Sequence, residues 1–323
     1  MIVRVFYHDK CFDGACSASL FSRLYHERVD GKAKFEFHGL VHRAGALFNE
    51  ADFTGDVNAI VDFKYSASPK IQWWFDHHQS AFLTAEDAAH FKEQKSSTKF
   101  YDPDCKSCTK LIAGVGEERF QFDTAPVADM VHWADTIDGA SFASAKEAVE
   151  LKAPAMRITM VIEATQDPTF VPRLIPYLSS QSLSQTVEEP FVAEKLPPLL
   201  DRHWKSIDIL RERTESKDRV VYFDVTDYDL EGYNKFIPYY LHPECVYSVG
   251  LSKSSFRTKV SVGSNPWTTA ENLTNLAKIC ERYGGGGHAR VGAISFPPTE
   301  FERARKAAAE IVAELRAYAR EHH

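Results

Sequence analysis

Short apolar runs that end in chemically able residues constrain this chain more than any other feature. Residues 2–7, 35–40, 58–61 and 71–75 have the length and composition of strands, and Ala15, Ala18, Phe21 (or Ser22) and Tyr25 recur at helical spacing between the first two. This alternation predicts an α/β domain with a largely parallel sheet. The segment from His8 to Asp13 follows the first run, Asp62 the third, and Asp76-His77-His78 the fourth. Open parallel sheets bind ligands beyond the carboxyl ends of their strands, so the pattern gathers these groups at one edge.

At 323 residues the chain has room for two domains. Six of the fifteen prolines fall between Pro168 and Pro198, amid a polar stretch that reads as a boundary. The expected organisation is a first domain over 1–185, a helical linker over 186–217 and a smaller α/β domain over 218–323, with the active site in the cleft between the two domains. Within the last, residues 220–225, 246–251, 258–262 and 293–296 read as strands. Residues 269–283 and 301–322 read as helices, the second with Phe301, Ala304, Ala308, Ile311, Leu315 and Ala319 on one apolar face.

Composition excludes several classes. With 44% apolar and 26% charged residues and a mean hydropathy of −0.32, the chain is neither disordered nor membrane-spanning. No apolar run approaches the roughly 18 residues of a span, and the first residues read as a core strand rather than a signal peptide, so a cytoplasmic location is expected. Six scattered cysteines fit a reducing compartment. A net charge of −7 argues against long duplex nucleic acid as a partner, so a phosphate-bearing ligand needs a local site. A homodimer is compatible with all of this.

The sharpest local signal is Asp76-His77-His78. Burying such groups costs several kcal/mol, about the scale of a lost ion pair, unless they are paired or metal-bound. As an isolated tripeptide it would be a hydrogen-bonded loop pair, but His8, Asp13, Asp62, His77 and the acids of Trp133-Ala-Asp135-Thr-Ile-Asp138 add further oxygen and nitrogen donors. Such a set suits Mn²⁺, Fe²⁺, Co²⁺ or Zn²⁺. There are donors for two metals with one carboxylate bridging, the arrangement that hydrolyses phosphate esters, and Asp76 is placed to orient a ligating imidazole.

Downstream, Gly284-Gly285-Gly286-Gly287-His288-Ala289-Arg290 suggests an anion nest flanked by charged donors. A lone glycine run is more often a turn. Joined to the basic stretch Lys253 to Lys259, in which Arg257 is the phosphate or base contact, it becomes a pocket for the far end of a nucleotide. Other features read as structural: Cys105-Lys-Ser-Cys108 as a helix start, His38 and His42 as ordinary histidines with either near the metal edge, Trp73 and Trp74 as core. Phe236, Tyr239 and Tyr240 read equally as core or as a base-stacking surface.

In order, the segment from His8 to Gly14, Val61-Asp62, Asp76-His77-His78, the Asp135 region and Gly284–His288 resemble the motifs of the DHH phosphoesterases with a DHH-associated C-terminal domain. The resemblance spans nearly the whole chain, and its length matches the short members: nanoRNases, phosphoadenosine-phosphate phosphatases and cyclic-dinucleotide hydrolases. It implies two metals, Mn²⁺ first among candidates: one held by His8 and Asp62, another by Asp13, Asp62, His77 and Asp135, with His78 facing the substrate phosphate. Gly285, Gly286, Gly287, His288, Arg290 and Arg257 would hold the substrate. Two departures stand out. The first motif is one residue short with Cys11 where an Asp is expected, so either Cys11 ligates, Asp9 takes over, or the site is weak. Gly263 stands where nanoRNases carry an Arg. Between Asp135 and Asp138 the expectation is Asp135.

The reading is a metal-dependent phosphoesterase acting on short oligonucleotides, cyclic dinucleotides or 3′-phosphonucleotides by in-line attack, with His78 and second-domain donors stabilising the phosphoryl oxygens. A polyphosphatase or pyrophosphatase, or a nucleotide sensor with an incomplete metal site, are the alternatives.

Overall fold

The structure, a computed structural model, describes residues 1–42, 47–228, 230 and 232–322. It divides into one unit of Met1–Phe142 with Leu151–Leu199 and another of Ala143–Glu150 with Leu200–His323. In chain order the first part comprises β1 (Ile2–His8), α1 (Phe12–Arg28), β2 (Lys34–Leu40), β3 (Val57–Val61), β4 (Trp73–Asp76), α2 (Ala85–Gln94), β5 (Lys99–Tyr101), α3 (Cys108–Phe120) and α4 (Ala128–Asp138). After α5 (Ala145–Glu150), which belongs to the second unit, come α6 (Pro154–Ala164), α7 (Phe170–Ser180), α8 (Leu183–Glu188) and α9 (Pro190–Ala193).

The strands form one sheet of order β2-β1-β3-β4-β5, and every pair is parallel. All four residues of β4, Trp73 to Asp76, are buried, as expected of a strand covered on both faces. Trp74 satisfies its indole by donating to the Phe63 carbonyl at 2.9 Å. Helix α1 is buried around most of its circumference because α3, α4 and α7 pack on it as well as β1. The strand order reverses between β1 and β3, which opens a crevice beyond their carboxyl ends.

The proline-rich interval is not a linker. Pro190 opens α9, where a helix tolerates proline, and Ser182 with Gln185 forms a capping box for α8, although Pro176 lies inside α7. Leu174, Ile175, Leu178, Leu183, Val187 and Val192 are buried. The helix read as a connector is α10 (Leu196–Arg213), and the second unit begins inside it. His203 on α10 bonds the Val149 carbonyl of α5 at 2.7 Å, while Ile207 and Leu210 are buried, so this helix is packed rather than free.

The second unit continues with β6 (Thr214–Lys217), β7 (Val220–Asp224), α11 (Ile237–Leu241), β8 (Tyr247–Lys253), β9 (Thr258–Ser264), α12 (Leu276–Glu281), β10 (Gly286–His288), β11 (Val291–Phe296) and α13 (Phe301–His322). Its sheet has the order β10-β11-β9-β8-β7-β6, and only β7 with β8 is parallel. Ala304, Ala308, Ile311, Leu315 and Ala319 of α13 are buried in one cluster with Val249, Leu251, Val260, Val262 and Ile294. That is the face the sequence pattern assigns, with Phe301 only partly covered.

Candidate metal centre

The crevice between β1 and β3 is where the expected donors meet. His8 closes β1, and a turn with Lys10 at φ 56° leads to Cys11, the N-cap of α1. Gly14 makes this approach possible, since a Cβ there would stand 2.0 Å from the His8 carbonyl oxygen. Asp62 directly follows β3 in the left-handed region at φ 56°, and its N–H donates to the Phe75 carbonyl at 2.9 Å. A non-glycine residue held there costs on the order of 1–3 kcal/mol, so the surrounding structure imposes it. Asp76 closes β4 with His77 and His78 directly behind it.

His77 is the hub. Its Nε2 lies 3.4 Å from Asp62 Oδ1, 3.4 Å from Asp138 Oδ2 and 3.8 Å from Asp13 Oδ2. Its Nδ1 donates to the Cys105 carbonyl at 3.0 Å, which fixes the tautomer and leaves Nε2 as the ligating nitrogen. His8 Nδ1 is 3.5 Å from Asp62 Oδ2. Among the described residues, three groups have donor atoms within 4.8 Å of one another: His8, Cys11 and Asp62; Asp62, His77 and His78; and Asp13, His77 and Asp138.

These atoms are buried without partners. Both carboxylate oxygens of Asp62, Nδ1 of His8, Nε2 of His77 and Oδ2 of Asp76 make no hydrogen bond, although Asp62 is 1% exposed. Leaving such groups unpaired is costly, and cations among them would satisfy several at once. The donor set, nitrogen and oxygen with one sulfur, therefore fits divalent metals.

Electrostatics says the same. Burial, followed by the charges of Asp62 and Asp138, pushes the Asp13 carboxyl well up. Burial and then Asp62 raise Asp138. Burial also works against ionised Asp62, but the imidazoles of His77 and His8 outweigh it and hold that carboxyl below its usual range. Burial lowers His77, yet Asp62 and Asp13 lift it to about 10. In the metal-free protein a proton on His77 thus stands in for a cation. Burial, then Asp62 and Asp13, raise the Cys11 thiol.

Two carboxylates are held by hydrogen bonds, and only the partners of the first were unannounced by the sequence. Asp13 accepts the N–H groups of Cys108 at 2.7 Å and Thr109 at 2.9 Å, the opening donors of α3, where a carboxylate is favoured. Asp76 Oδ1 accepts from the N–H groups of His77 at 2.9 Å and His78 at 3.2 Å and pairs with His78 Nδ1 at 2.7 Å. That last contact is the main cause of the raised His78 pKa. Ser107, the N-cap of α3, was a visible sign that a helix N-terminus begins there.

Several expectations need correction. Asp138, not Asp135, reaches His77; Asp135 accepts from Ser107 Oγ at 3.3 Å and lines a recess between α3 and α4 with Lys110, Glu117 and His132. The two acids are three residues apart on α4, so their side chains leave the helix at different angles. Cys11 stands with His8 and Asp62, whereas the Asp9 side chain lies against Gly39 and accepts from the Lys10 N–H at 2.9 Å. His42 stacks on Phe63 at 4.7 Å and meets His8 edge-on at 5.0 Å, while His38 packs against Phe6.

The glycine run is not an open nest. The N–H groups of Gly284 and Gly285 donate to the carbonyls of Glu281 and Cys280 beyond α12, with Gly284 at φ 80°, as at many helix ends. Gly286, Gly287 and His288 form edge strand β10, in which a Cβ on Gly287 would stand 2.2 Å from the Val291 carbonyl oxygen. His288 is exposed. Arg290 donates to Ser264 Oγ at 2.8 Å and the Asn265 carbonyl at 3.0 Å. Arg257 does not share its pocket: β11 pairs Val291 with Gly263 and Phe296 with Thr258, so Arg257 lies at the opposite end of β9. At about 3.4 Å per residue, the six steps from Arg257 to Gly263 span roughly 20 Å. Tyr239 and Phe236 are buried core residues, and the Tyr239 hydroxyl occupies the space a side chain at Gly263 would need.

No family model matches the sequence, and no curated protein matches it. Solved structures do. The pGpG-specific phosphodiesterase PggH from Vibrio cholerae superposes with a TM-score of 0.69 at 17% identity over 100% of both chains. The DHH domain of a member of a family of ribosomal proteins gives 0.58 at 14% identity, over 96% of this chain and 86% of that one. An exopolyphosphatase-related protein from Bacteroides fragilis gives 0.53 at 13%, over 99% of this chain and 94% of that one. At these identities the likeness is one of fold.

Proposed function

We propose that this chain, which has the fold of the DHH proteins, is a metal-dependent phosphoesterase that hydrolyses short nucleotide esters. One observation carries the reading: carboxylate and imidazole atoms at the carboxyl ends of β1, β3 and β4 meet, buried and unpartnered, at the switch point of a parallel sheet, with Asp138 of α4 beside them. His8, Cys11 and Asp62 would hold one cation and Asp13, Asp62, His77 and Asp138 another. Divalent cations supply positive charge toward a phosphate ester and make water acidic enough to attack it at neutral pH.

The remaining tasks fall to the chain's own groups. Asp76 fixes the His78 ring through Nδ1, leaving Nε2 as the nitrogen that donates to a phosphoryl or leaving oxygen. The α3 N-terminus holds Asp13 in one position, and the Cys105 carbonyl holds His77. Exposed His288 is the residue of the second unit to which nucleotide binding is assigned. Linear dinucleotides, cyclic dinucleotides and 3′-phosphonucleotides are the substrate classes, a choice supported by the fold shared with a pGpG-specific phosphodiesterase.

The test is a turnover panel with Mn²⁺, Zn²⁺, Fe²⁺ and Co²⁺, offering a linear dinucleotide, a cyclic dinucleotide, a 3′-phosphonucleotide and pyrophosphate. At least one nucleotide ester is expected to be cleaved, far faster than pyrophosphate. Hydrolysis confined to pyrophosphate, or binding without turnover under every metal, would end this reading.

A further inference from the structure

The donors at the two ends of the cluster differ in chemical hardness. Around His77 the partners are the carboxylates of Asp13 and Asp138. Around His8 they are the Asp62 carboxylate and the Cys11 thiol. Cys11 is a free cysteine at the N-cap of α1, and its side chain makes no capping bond, so sulfur is not serving the helix. A cysteine at a helix start is ordinarily inert packing. Here its Sγ lies within 4.8 Å of donor atoms on His8 and Asp62. His8 Nδ1 and both oxygens of the 1% exposed Asp62 are buried without a hydrogen bond. Asp9, the neighbouring carboxylate, is turned to Gly39 and cannot substitute.

We infer that His8, Cys11 and Asp62 form a nitrogen–sulfur–oxygen site for a thiophilic divalent cation, Zn²⁺ or Fe²⁺, while Asp13, His77 and Asp138 take a harder one such as Mn²⁺. Two unlike metals then occupy one centre, and Cys11 is the residue that selects between them. Ligation replaces the S–H proton, which leaves to solvent. Thiolate sulfur favours Zn²⁺ and Fe²⁺ over Mn²⁺, whereas carboxylates suit Mn²⁺. The inference rests on the metal-dependent reading above, but its test needs no substrate.

The full chain, stripped with chelator, is titrated with Co²⁺ and followed by absorption. The wild type should develop a near-ultraviolet sulfur-to-cobalt charge-transfer band that Cys11→Ser abolishes. Equilibrated with one equivalent of Zn²⁺ and a large excess of Mn²⁺ and desalted, the wild type should retain both metals, and Cys11→Asp should shift its content toward Mn²⁺. Cobalt bound without the sulfur band, a band undiminished in Cys11→Ser, or an unchanged metal ratio in Cys11→Asp would each overturn the inference while leaving a metal-dependent enzyme intact. No cobalt bound at all would overturn both.

Discussion

Nε2 of His77 and Oδ1 of Asp62 face each other at 3.4 Å, both buried and neither hydrogen-bonded. Asp62 is also the acid nearest His8, so it belongs to both ends of the cluster. Replacing it by Asn keeps the volume and removes the shared charge. Asp62→Asn should lower turnover by on the order of a thousandfold or more, since removing one electrostatic partner alone costs about 10²–10³. Metal-free Tm should also fall, because Asp62 is the main group that keeps His77 protonated and its loss leaves that buried imidazolium short of a partner. Steady-state kinetics with calorimetry on metal-free protein checks both halves.

The same pair sets a pH dependence. His77 in the folded, metal-free protein titrates at about 10, above its unfolded value of roughly 6.5. Its protonation therefore contributes stability that is fully present below the unfolded value and is lost as pH rises through about 10. Raised Asp13 acts in the same direction. Depressed Asp62 acts oppositely, but its contribution is lost only in acid. Metal-free Tm should thus fall between neutral pH and pH 10, while metal affinity rises about tenfold per pH unit for each proton displaced. Thermal melts and metal titrations across that range would show it; a flat metal affinity would contradict the displaced proton.

Asp76 acts on the reaction through His78. Asp76→Ala would strip the acceptor from two backbone N–H groups at a fully buried position, a loss of about 1–3 kcal/mol for each donor left unsatisfied. Asp76→Asn keeps an acceptor but removes the charge that raises His78. If protonated His78 donates to the phosphate, Asp76→Asn should lower kcat and move the alkaline limb of the pH–rate profile to lower pH, with KM little changed. An unmoved limb would remove His78 from that role.

In the second unit, register separates two residues that composition alone would group. Arg257 precedes β9 at one end, while His288 on β10 is aligned through Val291 with Gly263 near the other, a strand rise of roughly 20 Å. His288→Ala should raise KM for a dinucleotide clearly, and Arg257→Ala should leave it within about twofold, the ordinary range for a surface change away from a site. Equal effects would mean the substrate spans β9.

Legible in the chain alone were the parallel sheet and the edge on which its donors collect. Apolar runs followed at once by His8, Asp62 and Asp76-His77-His78 leave little choice, because strand direction fixes which end carries the next residue. Packing in three dimensions settled the remainder. Whether Asp135 or Asp138 reaches His77 depends on how α4 is rotated against α3, and two acids three residues apart look alike until a neighbour such as Ser107 claims one. That α3 offers its first N–H groups to Asp13, 95 and 96 residues earlier, follows from packing of α1 on α3. Spacing along the chain says nothing about such distant pairs. The glycines 284–287 carried the opposite lesson: their composition permits an anion nest, but strand pairing with β11 and the end of α12 use much of their backbone instead.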